Sequence, residues 1–279
     1  MRKAVSQSPL YDDAIKTLVD LHISLANTLL GGDPASAAEL ASFIVRVQAD
    51  ADDMRDISHA LFITRHITIA VKDLLLAYGE IWSALLFASY LRSRGVRVAF
   101  LDARDVLCVE LPEGGVGGSG TRWRPDVAFE VNWRISSECL ARFVKGLPDD
   151  GVDALVITGY IARSAANVTV TLERKGSDFS ASVFGHLLKA SEITLWTDFD
   201  GIFTAEPSLV KGATLIEEMS YSEALEFSFY SNLAVVHSKT MMPAVRDKIP
   251  IRIRNSFNRQ CRGTKIHAGS KLASGMATW

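Results

Sequence analysis

Cysteine is scarce in this chain: 279 residues carry three, Cys108, Cys139 and Cys261, widely spaced and odd in number. That argues against a disulfide framework or a zinc site and fits a reducing compartment. The six histidines form no HExxH pair, so no His-based metal site is expected. No unbroken run of 18 apolar residues occurs, and no membrane span is expected. The opening residues, MRKAVSQSPLYDD, lack the apolar core of a secretion signal and turn acidic at Asp12 and Asp13. The expected location is therefore cytoplasmic. An excess of one charge is also lacking: the net is −2, which gives no electrostatic reason to expect nucleic acid or a membrane surface as partner. The one low-complexity patch, residues 112–125 (PEGGVGGSGTRWRP), is rich in glycine. It has neither the GxxxxGK(S/T) pattern nor the strand-to-helix frame of a phosphate loop, and reads as a flexible surface loop.

Apolar patterning is what the chain has in quantity. With 48% hydrophobic and 22% charged residues, it can bury the core of one large α/β domain or two small ones. Residues 11–94 read as mostly helical, with Leu18, Leu21, Leu25 and Leu29, then Phe43, Ile44 and Val47, at helical spacing. Pro34 and Ser36 mark a helix start. A further helix is expected from near Glu80 to Gly95. Strands are expected at Val96–Leu101, Val106–Glu110, Ala154–Thr158, Val168–Leu172, Ile193–Trp196 and Ile249–Arg254, and a helix at Arg134–Lys145. Ser220 and Glu223 form a capping box ahead of another helix. The alternation predicts an α/β fold, a three-layer sandwich with a mostly parallel central sheet and a helix-rich N-terminal portion. Residues 1–258 are expected to form one domain. From Arg259 the sequence has no long apolar period, so 259–279 is expected to be a mobile tail.

The chemistry concentrates between Thr169 and Pro207. Two polar clusters, Arg174-x-Gly176-Ser177-Asp178 and Thr197-Asp198-Phe199-Asp200-Gly201, flank an apolar helix and an apolar strand. Gly176–Ser180 is expected to turn the chain and Ala181–Ala190 to be helical. A βαβ unit of this kind delivers both clusters to the ends of its elements, where open α/β sheets bind ligands. Ser177 and nearby backbone N–H groups can face an anion at a helix start. The carboxylates of the second cluster suit a ribose, Mg²⁺ or water.

At these residues the chain resembles the aspartokinases, a branch of the amino-acid kinase family, whose motifs read TLxRGGSDxSA and TDVDGVYTADPR. Here they stand as Thr171 to Ala181 and Thr197 to Pro207. Gly79-Glu80-Ile81-Trp82-Ser83-Ala84 resembles the GExWSA segment, and Asp102 to Val106 resembles DxRDV. Thr158-Gly159-Tyr160-Ile161 resembles TGFI, and Ile253-Arg254-Asn255-Ser256-Phe257-Asn258 resembles IRNxFN. The forms are most similar to the kinase portion of bifunctional aspartokinase–homoserine dehydrogenases, over about residues 15 to 258. The resemblance implies transfer of the ATP γ-phosphoryl group to the side chain of L-aspartate, with Mg²⁺ held mainly by the phosphates. It implies that Arg174 clamps a substrate carboxylate and Glu80 the ammonium, with Ser177 also on the substrate. Asp178 orients cationic groups, and Thr197, Asp198 and Phe203 contact the nucleotide. No metal-ligand set is implied. Structural readings stand beside these roles: Glu80 as a charge at a helix N-terminus, Phe203 as core, Asp200 as a turn residue, and His237 as structural.

The pattern departs from the family in places. Nothing ahead of the first helix resembles the Lys-Phe-Gly-Gly-Thr-Ser segment that holds phosphates, so the chain is expected to begin downstream of it. Ser208 stands where the family has Arg, and Ala234 where it has Lys or, in the bifunctional branch, Asn. These departures leave open an alternative, a catalytically impaired kinase-like protein that binds aspartate or nucleotide or pairs with an intact homologue. Self-association is open too, and a plant or algal source would allow a plastid.

Overall fold

The computed structural model describes residues 10–111, 129–172, 175–230 and 238–269. The Gly-rich patch, Arg174, Ala234 and His237 lie outside them. Contacts divide the chain into two compact units, residues 1–171 and 172–279.

Unit 1 opens with three helices, α1 (Leu10–Leu30), α2 (Ala37–Thr64) and α3 (Ile69–Ser93). Helix α1 buries Ile15, Val19, Ala26 and Leu30, while Leu18, Leu21, Leu25 and Leu29 stay on its exposed side. The regular leucines thus identify the helix correctly but lie outside its packed face. Asp33 caps the short 3-10 turn at Pro34–Ser36 that leads into α2, which buries Phe43, Val47, Ala51 and Met54. Helix α3 begins where the Thr68 hydroxyl accepts the Val71 N–H, well ahead of the start expected near Glu80. The buried Asp50 of α2 accepts the indole N–H of Trp82 at 2.8 Å and Arg46 Nε at 2.9 Å, which fixes the rotation of α3 against α2. By length and composition α3 could cross a bilayer, although polar residues interrupt its apolar run. Packing accounts for part of its apolar surface: Ala77, Ile81, Trp82, Leu86 and Ala88 are buried within the unit, while Leu76 and Phe87 are exposed.

The rest of unit 1 comprises β1 (Val98–Leu101), α4 (Ala103–Val106), β2 (Cys108–Glu110), β3 (Glu130–Val131), α5 (Trp133–Lys145), β4 (Ala154–Ile157), β5 (Ile161–Ser164) and β6 (Thr169–Thr171). Strands β1 and β4 pair in parallel. A second sheet has the order β3-β2-β5-β6, with β2 and β5 parallel. The strand expected from Val106 begins later because the Asp102 carboxylate accepts the Arg104 N–H and starts α4.

Unit 2 comprises α6 (Gly176–Leu187), β7 (Ile193–Thr197), β8 (Glu218–Ser220), α7 (Tyr221–Tyr230), α8 (Ser238–Arg246), β9 (Ile251–Asn255) and β10 (Thr264–His267). Its sheet runs β7-β9-β10-β8, around a core that includes Ile193, Leu195, Met241, Ile251, Ile253 and Ile266. The capping box forms as written: Ser220 N–H donates to Glu223 Oε2 at 2.6 Å, and Glu223 N–H to Ser220 Oγ at 3.2 Å. The α/β class expected from the alternation is what the fold shows, and four described strand pairings are parallel.

Residues 264–267, expected in a mobile tail, form β10 between β9 and β8. Gly263, at φ 72, packs so close that an added Cβ would run into the Ile253 carbonyl. That approach lets the chain return beside β9, and Thr264 and Ile266 are then buried. The strand is short and half polar, so no apolar run announces it.

Candidate active site

The described residues of the two polar clusters meet in unit 2. Lys175 takes a left-handed backbone (φ 63) and α6 begins at Gly176, ahead of the start expected at Ala181, so Ser177 and Asp178 stand in the first turn of the helix their cluster was expected to open. Strand β7 ends at Thr197. A small cleft of about 50 Å³ opens between them, lined by Lys175, Asp178, Trp196, Thr197, Phe199 and Ile253. Asp178 is half-buried; burial holds its carboxyl above the usual range, while the Lys175 ammonium pulls the other way. Ser177 is exposed. Trp196 is 53% exposed and carries the Arg254 guanidinium 5.0 Å from its ring centroid.

Beyond Thr197 the chain folds back on the end of β9. The Thr197 hydroxyl donates to Asp198 Oδ1 at 3.2 Å, and Asp198 is exposed. The Ser256 N–H donates to the Thr197 carbonyl at 2.8 Å. Asp200 Oδ1 accepts from Asn255 Nδ2 at 2.8 Å and Asn258 Nδ2 at 3.1 Å. Asn255 Oδ1 accepts the Phe257 N–H at 2.8 Å. Gly201 (φ 143) packs against Thr264, where a Cβ would lie 2.7 Å from the hydroxyl oxygen. That hydroxyl accepts the Ile202 N–H at 2.8 Å and donates to the Ile216 carbonyl at 2.6 Å. Phe203 is half-buried and bridges Leu215 through its backbone; the aromatic residues lining the cleft are Trp196 and Phe199, not Phe203.

Glu80 belongs to unit 1. It lies well inside α3, so the reading of it as a helix N-terminal charge does not hold. It is half-buried, and burial raises its pKa. Two turns earlier on the same face of α3 is Asp73, a buried carboxylate that sequence reasoning passed over. It accepts the Thr171 N–H at 3.1 Å and the Thr171 hydroxyl at 2.9 Å. Burial raises its pKa, and the two bonds from Thr171 oppose that rise. Its signal was an acid interrupting an apolar helix. Lys175 was missed as well, although it occupies the second residue of the RGGSD pattern, where glycine is usual. Arg104 holds Asp102 at 2.6 Å and also donates to Thr169. Among the described residues no three His, Cys, Asp or Glu side chains gather as a metal-binding group.

The amino acid kinase family model matches residues 30–255. A chloroplastic bifunctional aspartokinase/homoserine dehydrogenase of Zea mays is 34% identical over 266 residues, 95% of this chain and 27% of that protein. The lysine-sensitive aspartokinase 3 of Escherichia coli is 32% identical over 71% of this chain and 40% of its own length. Among solved structures, E. coli aspartokinase III in complex with aspartate and ADP superposes with a TM-score of 0.65 at 24% identity, covering 93% of this chain and 62% of that one. The chain thus spans about a quarter of the length of the plant relatives it matches.

Proposed function

The chain belongs to the amino acid kinase family, and from that premise we propose that it is an aspartate kinase unit. The reaction transfers the ATP γ-phosphoryl group to the side-chain carboxylate of L-aspartate, giving 4-phospho-L-aspartate, the first step towards lysine, threonine and methionine. The observation that carries this reading is the shared cleft: the first turn of α6 and the end of β7, each bearing one aspartokinase-like motif, line it together. The relatives named above are aspartokinases, and this favours the catalytic reading over a purely binding one.

The acceptor carboxylate is already an anion, so the protein has no strong base to supply; its task is to place groups and balance charge. Arg174 is assigned to a substrate carboxylate, which a guanidinium binds in a two-pronged geometry. Glu80 is assigned to the substrate ammonium and Ser177 to a hydrogen bond with the substrate. Asp178, beside Lys175 in the first turn of α6, orients that cation at the cleft. Thr197, Asp198 and Phe203 are assigned to the nucleotide. Mg²⁺ fits as an ion carried in on the phosphates, with one carboxylate such as Asp198 in support; it would neutralise phosphate charge. The plant relatives are named as chloroplastic, so a plastid is the proposed compartment for a plant source and the cytoplasm for a bacterial one.

Trapping the acyl phosphate as its hydroxamate tests the reading. L-aspartate with MgATP should give product, L-asparagine none, and Arg174→Ala should lower the rate by about 10²–10³. Equal product from glutamate, or none from any amino acid in a protein that binds MgATP, would overturn it.

A further inference from the structure

We propose that Asp200, held by Asn255 and Asn258, is a positioning residue that sets the shape of the Thr197–Phe203 segment for nucleotide; the assignment rests on the nucleotide role proposed above. Every group involved lies in unit 2, and the IRNSFN segment has no other part in the proposed chemistry. One carboxylate oxygen of Asp200 takes two amide donors, Asn255 Nδ2 at 2.8 Å and Asn258 Nδ2 at 3.1 Å. Asn255 is 8% exposed and uses both ends of its amide, the nitrogen on Asp200 and the oxygen on the Phe257 N–H. The Ser256 N–H ties the same loop to the Thr197 carbonyl. The segment is therefore pinned at Thr197 by backbone, at Asp200 by side chains, and at Gly201–Ile202 by Thr264.

An Asp facing two Asn donors has a defined polarity, which a charge swap can test. In Asn255→Asp two carboxylates face each other across a hydrogen-bond distance, and like charges there repel. Adding Asp200→Asn restores complementarity: the amide nitrogen that replaces Oδ1 donates one hydrogen to the residue-255 carboxylate and the other to Asn258, whose exposed amide turns to present its oxygen, and the Phe257 N–H keeps an acceptor.

The experiment compares wild type, Asn255→Asp and the Asn255→Asp/Asp200→Asn double variant by ADP calorimetry, with melting temperature measured in parallel. The single variant should bind ADP about tenfold or more weakly, as loss of hydrogen bonds to a charged group implies, and the double variant should recover to within about threefold. A lowered melting temperature with unchanged ADP affinity in the single variant would show the network to be structural only, and would overturn the proposal. So would a double variant as weak as the single. Asp200→Ala, which leaves both amides without their acceptor and adds no charge clash, should weaken ADP binding in the same direction if Asn255→Asp fails to fold; unchanged affinity there overturns the proposal. If wild type binds no nucleotide, the functional reading falls. Amide exchange over residues 198–203 then decides the network: faster in the single and restored in the double supports it, and no change overturns it.

Discussion

Glu80 and Asp178 both have pKa values raised by burial, which makes these proposed functional groups a burden on stability. A raised folded-state pKa means that the native protein holds the proton more tightly than the unfolded chain. The stability contributed is then fully present below the ordinary carboxylate range and is lost as pH climbs through the raised value. Glu80→Gln and Asp178→Asn are expected to melt higher than wild type at neutral pH. That advantage should vanish near about pH 4, where the unfolded carboxyls also take up protons. Calorimetry across pH checks this, and a lower neutral-pH melting temperature would reveal a compensating cation. Asp73 behaves differently because Thr171 gives it two donors. Asp73→Ala strands a backbone N–H and a hydroxyl, and should cost about 1–3 kcal/mol in urea unfolding. The motifs singled out Arg174, Asp178 and Glu80 as candidates. They could not reveal Asp73, whose role depends on a partner 98 positions away.

Secondary structure was most legible where its signal is local. The Ser220–Glu223 box needs four consecutive residues, and both of its hydrogen bonds form; Ser220→Ala should cost about 1 kcal/mol, read from denaturant titration. The faces of the helices were harder. Leucine spacing located α1, yet Ile15, Val19, Ala26 and Leu30 make its buried side, because the fit against α2 depends on neighbours that periodicity does not encode. Strand β10 was illegible for a related reason: only the close approach of Gly263 to the Ile253 carbonyl creates its place. Gly263→Ala adds both a steric clash and an unfavourable left-handed backbone. It is expected to destabilise unit 2 by about 3 kcal/mol or more, near the upper end for single substitutions, with faster amide exchange across β8, β9 and β10.

At the level of the whole chain, alternating strands and helices were sufficient for the α/β class, whereas the division into units was invisible. It falls between Thr171 and Leu172, inside a motif and without a linker or compositional change, since it reflects long-range contacts. The proposed nucleotide residues Thr197, Asp198 and Phe203 all belong to the second unit. Saturating ADP is therefore expected to slow amide exchange around 175–203 and 253–258 and to leave α1 unchanged. Protection confined to α1 and α2 would contradict the nucleotide assignment.

The contact between Gly201 and Thr264 has a genealogical consequence. A larger residue at 201 cannot enter while the Thr264 hydroxyl occupies that space, and removing the hydroxyl orphans the Ile202 N–H and the Ile216 carbonyl. Each single step therefore passes through a less stable protein. Changing both at once gives no escape, because Leu215, the Thr264 backbone N–H and the left-handed φ of 143° still exclude a side chain at 201, so lineages descending from this sequence should keep both residues.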